Sequence, residues 1–126
     1  MTLSESREDY LENLLILETR SGGFVRQVDM ASRMGFSKAS ISKAMSSLSA
    51  EGYVEFRPRG LVRLSNGGHK IAERVYDRHC FFFKVLTNLG IPTEIAQRDA
   101  CRMEHAMSEE SYQALKKELS SKMDVQ

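Results

Sequence analysis

VRQVDMASRMGFSKASISKAMSSLSAEGYV, residues 25–54, holds two helix-length segments separated by one tight turn, and the shortness of that turn decides the fold. In the first segment Val28, Ala31 and Met34 recur on a helical stripe that stops at Gly35. Ser37 then offers an N-cap for the second, with Phe36 and Ile41 at the two positions of a hydrophobic staple. Ile41, Ala44, Met45 and Leu48 make its apolar face, and Gly52 after Glu51 suits a left-handed C-terminal turn. The opposite face is Ala39, Lys43 and Ser46, flanked by Ser40 and Ser42. It is small, polar and basic.

After Gly52 the pattern switches from helical to extended. YVEFR and LVRLS, joined by Pro58-Arg59-Gly60, predict a hairpin carrying Arg57, Arg59 and Arg63. Two short helices, a tight turn and a basic hairpin make a winged helix-turn-helix. Upstream, SESREDYLENLLILETR spaces Tyr10, Leu11, Leu14, Leu15 and Leu17 as a helix capped by Ser4 and ended by Ser21-Gly22-Gly23. Downstream, the pattern predicts a long helix over about 65–87, a second opened by Pro92 that runs through ACRMEHAMS (100–108), and a third over about 109–122. The expected fold is mainly α with a small β-wing, a winged helix-turn-helix followed by a helical domain.

At 126 residues, 41% of them hydrophobic, the chain suits one domain or a small domain with an appendage. It has no apolar run of about 18 residues, and MTLSESRED is polar and acidic where a signal peptide would be basic and then apolar. The expected location is the cytoplasm, without a membrane partner. Two cysteines, Cys80 and Cys101, in helical segments fit a reducing compartment.

The net charge of +1 conceals an uneven distribution. Residues 1–19 set Arg7 against five acids, residues 20–70 set nine basic side chains against three acids, and residues 71–126 set eight against nine. The surplus of positive charge coincides with the helix-turn-helix and hairpin. Small side chains on the second helix let it enter a major groove, where Ser37, Lys38, Ser40, Ser42, Lys43 and Ser46 reach bases or phosphates and Ala39 meets a thymine methyl. Arg57, Arg59 and Arg63 would grip the backbone. A winged helix can instead serve protein contacts, but the coincidence of charge and motif puts double-stranded DNA ahead.

ACRMEHAMS raises a separate chemistry. Cys101, Glu104 and His105 stand at i, i+3 and i+4, which on a helix converge on one patch. Three ligands are too few to close a structural metal site, so others must come from elsewhere in the chain.

Together, EDYLENLL, the 25–54 block, RHCFFFKVL and ACRMEHAMS resemble the diphtheria toxin repressor family, which includes iron-dependent repressors and manganese transport regulators. The resemblance covers about residues 8–107. It implies a homodimeric repressor that binds operator DNA when loaded with Fe(II) or Mn(II) and controls metal-homeostasis genes. Zn(II), Co(II) or Ni(II) could substitute in vitro, and no organic cofactor or enzymatic activity is expected. It also implies a division into a DNA-binding domain, residues 1–68, and a helical dimerisation and metal-binding domain, residues 69–126.

Carried over by position, the family's ligands are Asp9 and Glu12 on the first helix, His79 on the long helix, and Cys101, Glu104 and His105. Taken singly, Asp9 and Glu12 read as solvated acids, His79 as a core histidine on the stripe Ile71, Val75, Phe82 and Leu86, and Cys101 as a small hydrophobe. The acidic pair resembles the manganese regulators, whereas the cysteine resembles the iron repressors. Phe83 and Gln97 occupy positions where iron repressors place ligands of a second, ancillary site. Carboxylates suit Mn(II) and a thiolate pulls toward Fe(II), Co(II) or Zn(II); iron is the expectation, narrowly. Phe81, Phe82 and Phe83 suggest a dimer interface. Two rivals remain: a winged-helix regulator that answers a small organic ligand, and a metallohydrolase, which the absence of an HExxH-type pattern disfavours.

Overall fold

In the computed structural model, which describes residues 3–123, capping serines and left-handed glycines set several of the turns between elements. Helix α1 (Glu5–Ser21) starts where the Ser4 hydroxyl accepts from Arg7 N–H and stops at Gly22, whose φ of 85° is left-handed. A two-residue strand β1 (Val25–Arg26) leads into α2 (Gln27–Met34). Helix α3 (Lys38–Ala50) is capped by Ser37, which accepts from Ser40 N–H at 3.1 Å. Its far end is a Schellman turn: Gly52 N–H donates to Ser49 O at 3.0 Å and Tyr53 N–H to Leu48 O at 2.9 Å.

Strands β2 (Val54–Arg57) and β3 (Leu61–Leu64) follow, joined by a 3-10 turn over Pro58–Gly60 in which Arg59 has φ 67°. The sheet has the order β1-β3-β2, antiparallel throughout, with Val54 opposite Leu64, Phe56 opposite Val62, and Val25 also opposite Val62. Three helices follow: α4 (Asn66–Asn88), α5 (Thr93–Met103) and α6 (Glu109–Lys122). Among the described residues, none of the helices is long and apolar enough to cross a membrane.

The chain divides into two compact units, Met1–Glu73 and Arg74–Gln126, and the division falls inside α4. The core of the first gathers Leu11 and Leu14 of α1, Met30 of α2, Ile41, Met45 and Leu48 of α3, and Val25, Val54 and Val62 of the sheet. In the second, Phe81 and Phe82 of α4 pack on Ala100 of α5 and Tyr112 of α6, the two phenyl rings lying 5.7 and 5.8 Å from the Tyr112 ring. Phe81 and Phe82 are thus consumed by the chain's own core. The dimer surface expected of that aromatic run cannot rest on them.

Other expectations change for identifiable reasons. Val25 and Arg26 pair as a third strand instead of opening the helix, which shifts the α2 register inward: Met30 and Ala31 are buried, whereas Val28 is 41% exposed. Phe36 stays 47% exposed and meets Tyr10 edge-on at 5.9 Å in place of sealing a staple, and Ala44 is only half-buried.

Candidate metal centre and nucleic-acid face

The second unit supplies a donor cluster. His79 projects from α4 among buried residues, and Cys101 lies in the last turn of α5. Helix α5 ends at Met103, so Glu104 and His105 occupy the turn that follows rather than the helix face expected of them. Glu104 nevertheless keeps helical dihedrals as the C-cap, its N–H donating to Ala100 O at 3.0 Å, and so it still points to the side its spacing predicts.

Glu104 is 1% exposed and His79 8%. Their side chains meet directly, His79 Nδ1 lying 2.8 Å from Glu104 Oε1, while the other oxygen of Glu104 is 3.3 Å from His105 Nε2. Cys101 Sγ is 3.7 Å from His79 Nδ1. One donor atom each from His79, Cys101 and Glu104 fall within 4.8 Å of one another. Bonds of about 2.0–2.3 Å around a tetrahedral cation separate donors by roughly 3.5 Å, so nitrogen, sulfur and oxygen here fit a divalent transition metal with small adjustments. A carboxylate this deeply buried is costly unless cations or donors surround it.

Asp9 and Glu12 lie on α1 of the first unit, three residues apart, Glu12 buried and Asp9 half-buried. Neither is the solvated acid that composition alone suggests. Asn13 donates to the backbone carbonyl of Asp9 at 2.8 Å and accepts from Arg33 Nε of α2 at 2.8 Å.

Sequence reasoning passed over Arg78, which is 6% exposed. Its guanidinium donates to Glu104 O at 3.3 Å and Met107 O at 2.7 Å, pairs with Glu109 at 3.0 Å, and lies 4.8 Å from the Tyr112 ring. The signal was present as a charge between Val75 and Phe82 on the apolar stripe of α4. Around it the electrostatics are settled. Hydrogen bonding from Gln113 holds the Glu109 carboxyl below the usual range against a small burial effect, and Arg78 adds to it. Burial pushes Asp77 upward, but hydrogen bonds from Lys116 and Tyr112 and the Lys116 charge outweigh it and leave the carboxyl lowered. Burial, then the hydrogen bond to Asp77, raises the Tyr112 phenol well above its ordinary value.

In the first unit the outer face of α3 is open. Ser37, Lys38, Ala39, Ser40, Ser42, Lys43 and Ser46 are all exposed, with Ala39, Ser42, Lys43 and Ser46 on one stripe. The hydroxyls of Ser37 and Ser40 bond each other at 3.0 Å within the cap. Among the wing arginines, Arg63 Nε lies 2.9 Å from Glu55 and Arg57 3.7 Å from the same carboxylate, and both guanidiniums sit 5.7 Å from the centroid of Phe24. Arg59, at the tip, is exposed and has no ion pair among the described residues. Two of the three wing charges are therefore partly neutralised.

Known proteins agree with both halves of this description. The family model described as the iron dependent repressor N-terminal DNA binding domain matches residues 2–62, and the one described as the iron dependent repressor metal binding and dimerisation domain matches residues 65–122. The transcriptional regulator MntR of Escherichia coli O6:H1 is 39% identical over 109 residues, covering 86% of this chain and 70% of the relative. The crystal structure of IdeR from T. acidophilum superposes with a TM-score of 0.77 at 25% identity, over 95% of this chain and 55% of that one. A crystal structure of ScaR with bound Zn2+ gives 0.73 at 25% identity, over 90% of this chain and 53% of that one. The chain thus spans about half the length of these two solved relatives.

Proposed function

The chain belongs to the iron dependent repressor family, and from that premise we propose that it is a metal-dependent transcriptional repressor. In this reading it binds operator DNA as a homodimer when loaded with a divalent transition metal, Fe(II) or Mn(II), and controls metal-homeostasis genes. The observation that carries the proposal is the convergence of His79, Cys101 and Glu104 within 4.8 Å. An organic-ligand regulator has no use for an imidazole, a thiol and a buried carboxylate gathered in this way.

His79, Cys101, Glu104 and His105 would hold the ion from the second unit. The resemblance assigns Asp9 and Glu12 to the same ion. Bound there, the metal would supply a positive charge shared among several ligands. Glu104 and His79 are held against each other beforehand, so little reorganisation accompanies loading. Because the same lone pairs take protons, affinity for the ion should fall in acid.

On DNA, α3 would enter the major groove through Ala39, Ser42, Lys43 and Ser46, with Ser37, Lys38 and Ser40 at its start, and Arg57, Arg59 and Arg63 would contact the backbone. A dimer reads two half-sites when its recognition helices stand about 34 Å apart, and loading would favour that spacing. Metal can do so only by binding the DNA-competent state more tightly, and operator DNA must then tighten metal by the same factor. The test is an anaerobic operator titration with Fe(II), Mn(II), Zn(II) and chelator, with metal content measured. Metal-independent operator binding, or metal affinity indifferent to operator, refutes the proposal.

A further inference from the structure

Resting on the metal-centre reading above, we infer that Arg78 is a positioning residue for that centre, holding the 104–108 turn so that Glu104 faces His79 and His105 stays beside the Glu104 carboxylate. Helix α5 ends at Met103, and a helix C-terminus leaves carbonyl oxygens without intrahelical partners. Arg78 takes two from this region, Glu104 O and Met107 O, and reaches on to the Glu109 carboxylate at the start of α6. One planar guanidinium thus spans the segment that joins α5 to α6. A lysine, with a compact ammonium on a flexible stem, cannot match that span.

Glu104 is gripped at both ends by neighbours on one turn of α4. Its carboxylate meets His79 at 2.8 Å and its backbone carbonyl meets Arg78 at 3.3 Å. The guanidinium is in turn fixed by the Tyr112 ring at 4.8 Å, and the Tyr112 hydroxyl by Asp77 at 2.7 Å. Residues 77, 78 and 79 therefore act together. A cation buried near a metal centre would repel the ion, and the ion pair with Glu109 offsets that charge.

The alternative is that Arg78 only braces the core. The two roles separate when Co(II), a spectroscopic stand-in for Fe(II), is titrated anaerobically into the full chain and its d–d and thiolate charge-transfer bands are followed alongside thermal unfolding. Arg78→Met should weaken Co(II) about 10–100-fold, as loss of partners behind metal ligands commonly does, and alter the bound spectrum. Arg78→Lys should recover part of the loss, and Glu109→Gln should show a smaller loss in the same direction. Leu119→Ala, which loosens the same core about two helical turns beyond Tyr112 on α6, should lower stability and leave Co(II) affinity unchanged.

Wild-type affinity and spectrum in Arg78→Met and Glu109→Gln overturn the inference, as does Co(II) affinity that merely follows stability across all variants, Leu119→Ala included. Should Arg78→Met fail to fold, Arg78→Lys and Glu109→Gln decide on the same criteria. A wild-type chain that develops no thiolate band refutes the metal centre itself, and this inference with it.

Discussion

Replacing Gly68 by alanine should destabilise the first unit, while the same replacement one residue earlier should stabilise it. Both glycines lie in the first turn of α4. Alanine is favoured over glycine inside a helix by about 0.5–1 kcal/mol, so propensity alone predicts a gain at each. At Gly67 a methyl would meet only Ser65 Oγ at 3.9 Å and Gly52 O at 4.0 Å, ordinary contacts, and the gain should stand. At Gly68 the methyl would overlap the Tyr53 carbonyl oxygen, with the carbonyl carbon 3.0 Å away and Leu64 Cδ2 3.3 Å. That carbonyl cannot retreat freely, because it accepts from Ser65 N–H at 3.0 Å. Overpacking of this kind costs about 1–3 kcal/mol, which set against the propensity gain of about 0.5–1 kcal/mol leaves a net loss centred near about 1 kcal/mol. For a domain of about 60–100 residues each kcal/mol moves the melting temperature by about 4–8 °C, so the two variants should melt several degrees to either side of wild type. Thermal unfolding followed by circular dichroism measures the difference. Gly68→Ala melting at or above Gly67→Ala would refute the reasoning, because the helix would then not lie against Tyr53.

Three further outcomes follow from the site descriptions. Lys43→Ala should weaken DNA binding nearly uniformly across sequences and reduce the slope of log affinity against log salt by about 1 if Lys43 meets a phosphate; an unchanged slope with altered sequence preference would assign it to a base. Glu55→Gln should tighten DNA binding at low salt, since it releases Arg57 and Arg63 from a shared carboxylate; weaker binding would mean that Glu55 mainly aims those arginines. Cys101→Ser should weaken Co(II), Zn(II) and Fe(II) more than Mn(II) in equilibrium competition, because it exchanges a soft donor for a hard one; equal losses would place the sulfur outside the coordination sphere.

What the sequence made legible was whatever a local pattern encodes. Gly35 declares the end of α2, and Ser37 and Gly52 the bounds of α3, through cap chemistry, and the structure places them there. The hairpin was legible for the same reason, its turn residues and alternating strands lying within eleven positions. Strand β1 was not: two residues cannot show a period, and Val25 and Arg26 become a strand only because β3, more than thirty residues away, offers an edge. The donor cluster was legible as residue types at a spacing, though the helix proposed to present them ends early and Arg78 holds the turn instead. A buried arginine is invisible to a reading that assigns charge to the surface, and only its place on an apolar stripe gives it away.

If α1 carries two ligands, its attachments within the first unit determine what a pull on it can move. Polar ties run from α1 to α2, α3 and β3. Arg7 pairs with Glu51 just beyond α3 and donates to Ser47 at 3.4 Å, Asn13 holds Arg33 of α2, and Glu18 accepts from Leu64 N–H of β3 at 2.8 Å. The exposed ties of Arg7 and Asn13 contribute about 0–1 kcal/mol each, and the part-buried hydrogen bond to the Glu18 carboxylate about 1.5–3 kcal/mol. Leu11 and Leu14, fully buried against α2 and α3 residues, contribute about 1.5–3 kcal/mol apiece and cannot slide without opening the core. The packed leucines are therefore the rigid element, and the polar ties set its register. A displacement imposed at Asp9 and Glu12 would carry α1, α2 and α3 together as one body, so metal would act on where the recognition helix is held and not on its internal shape.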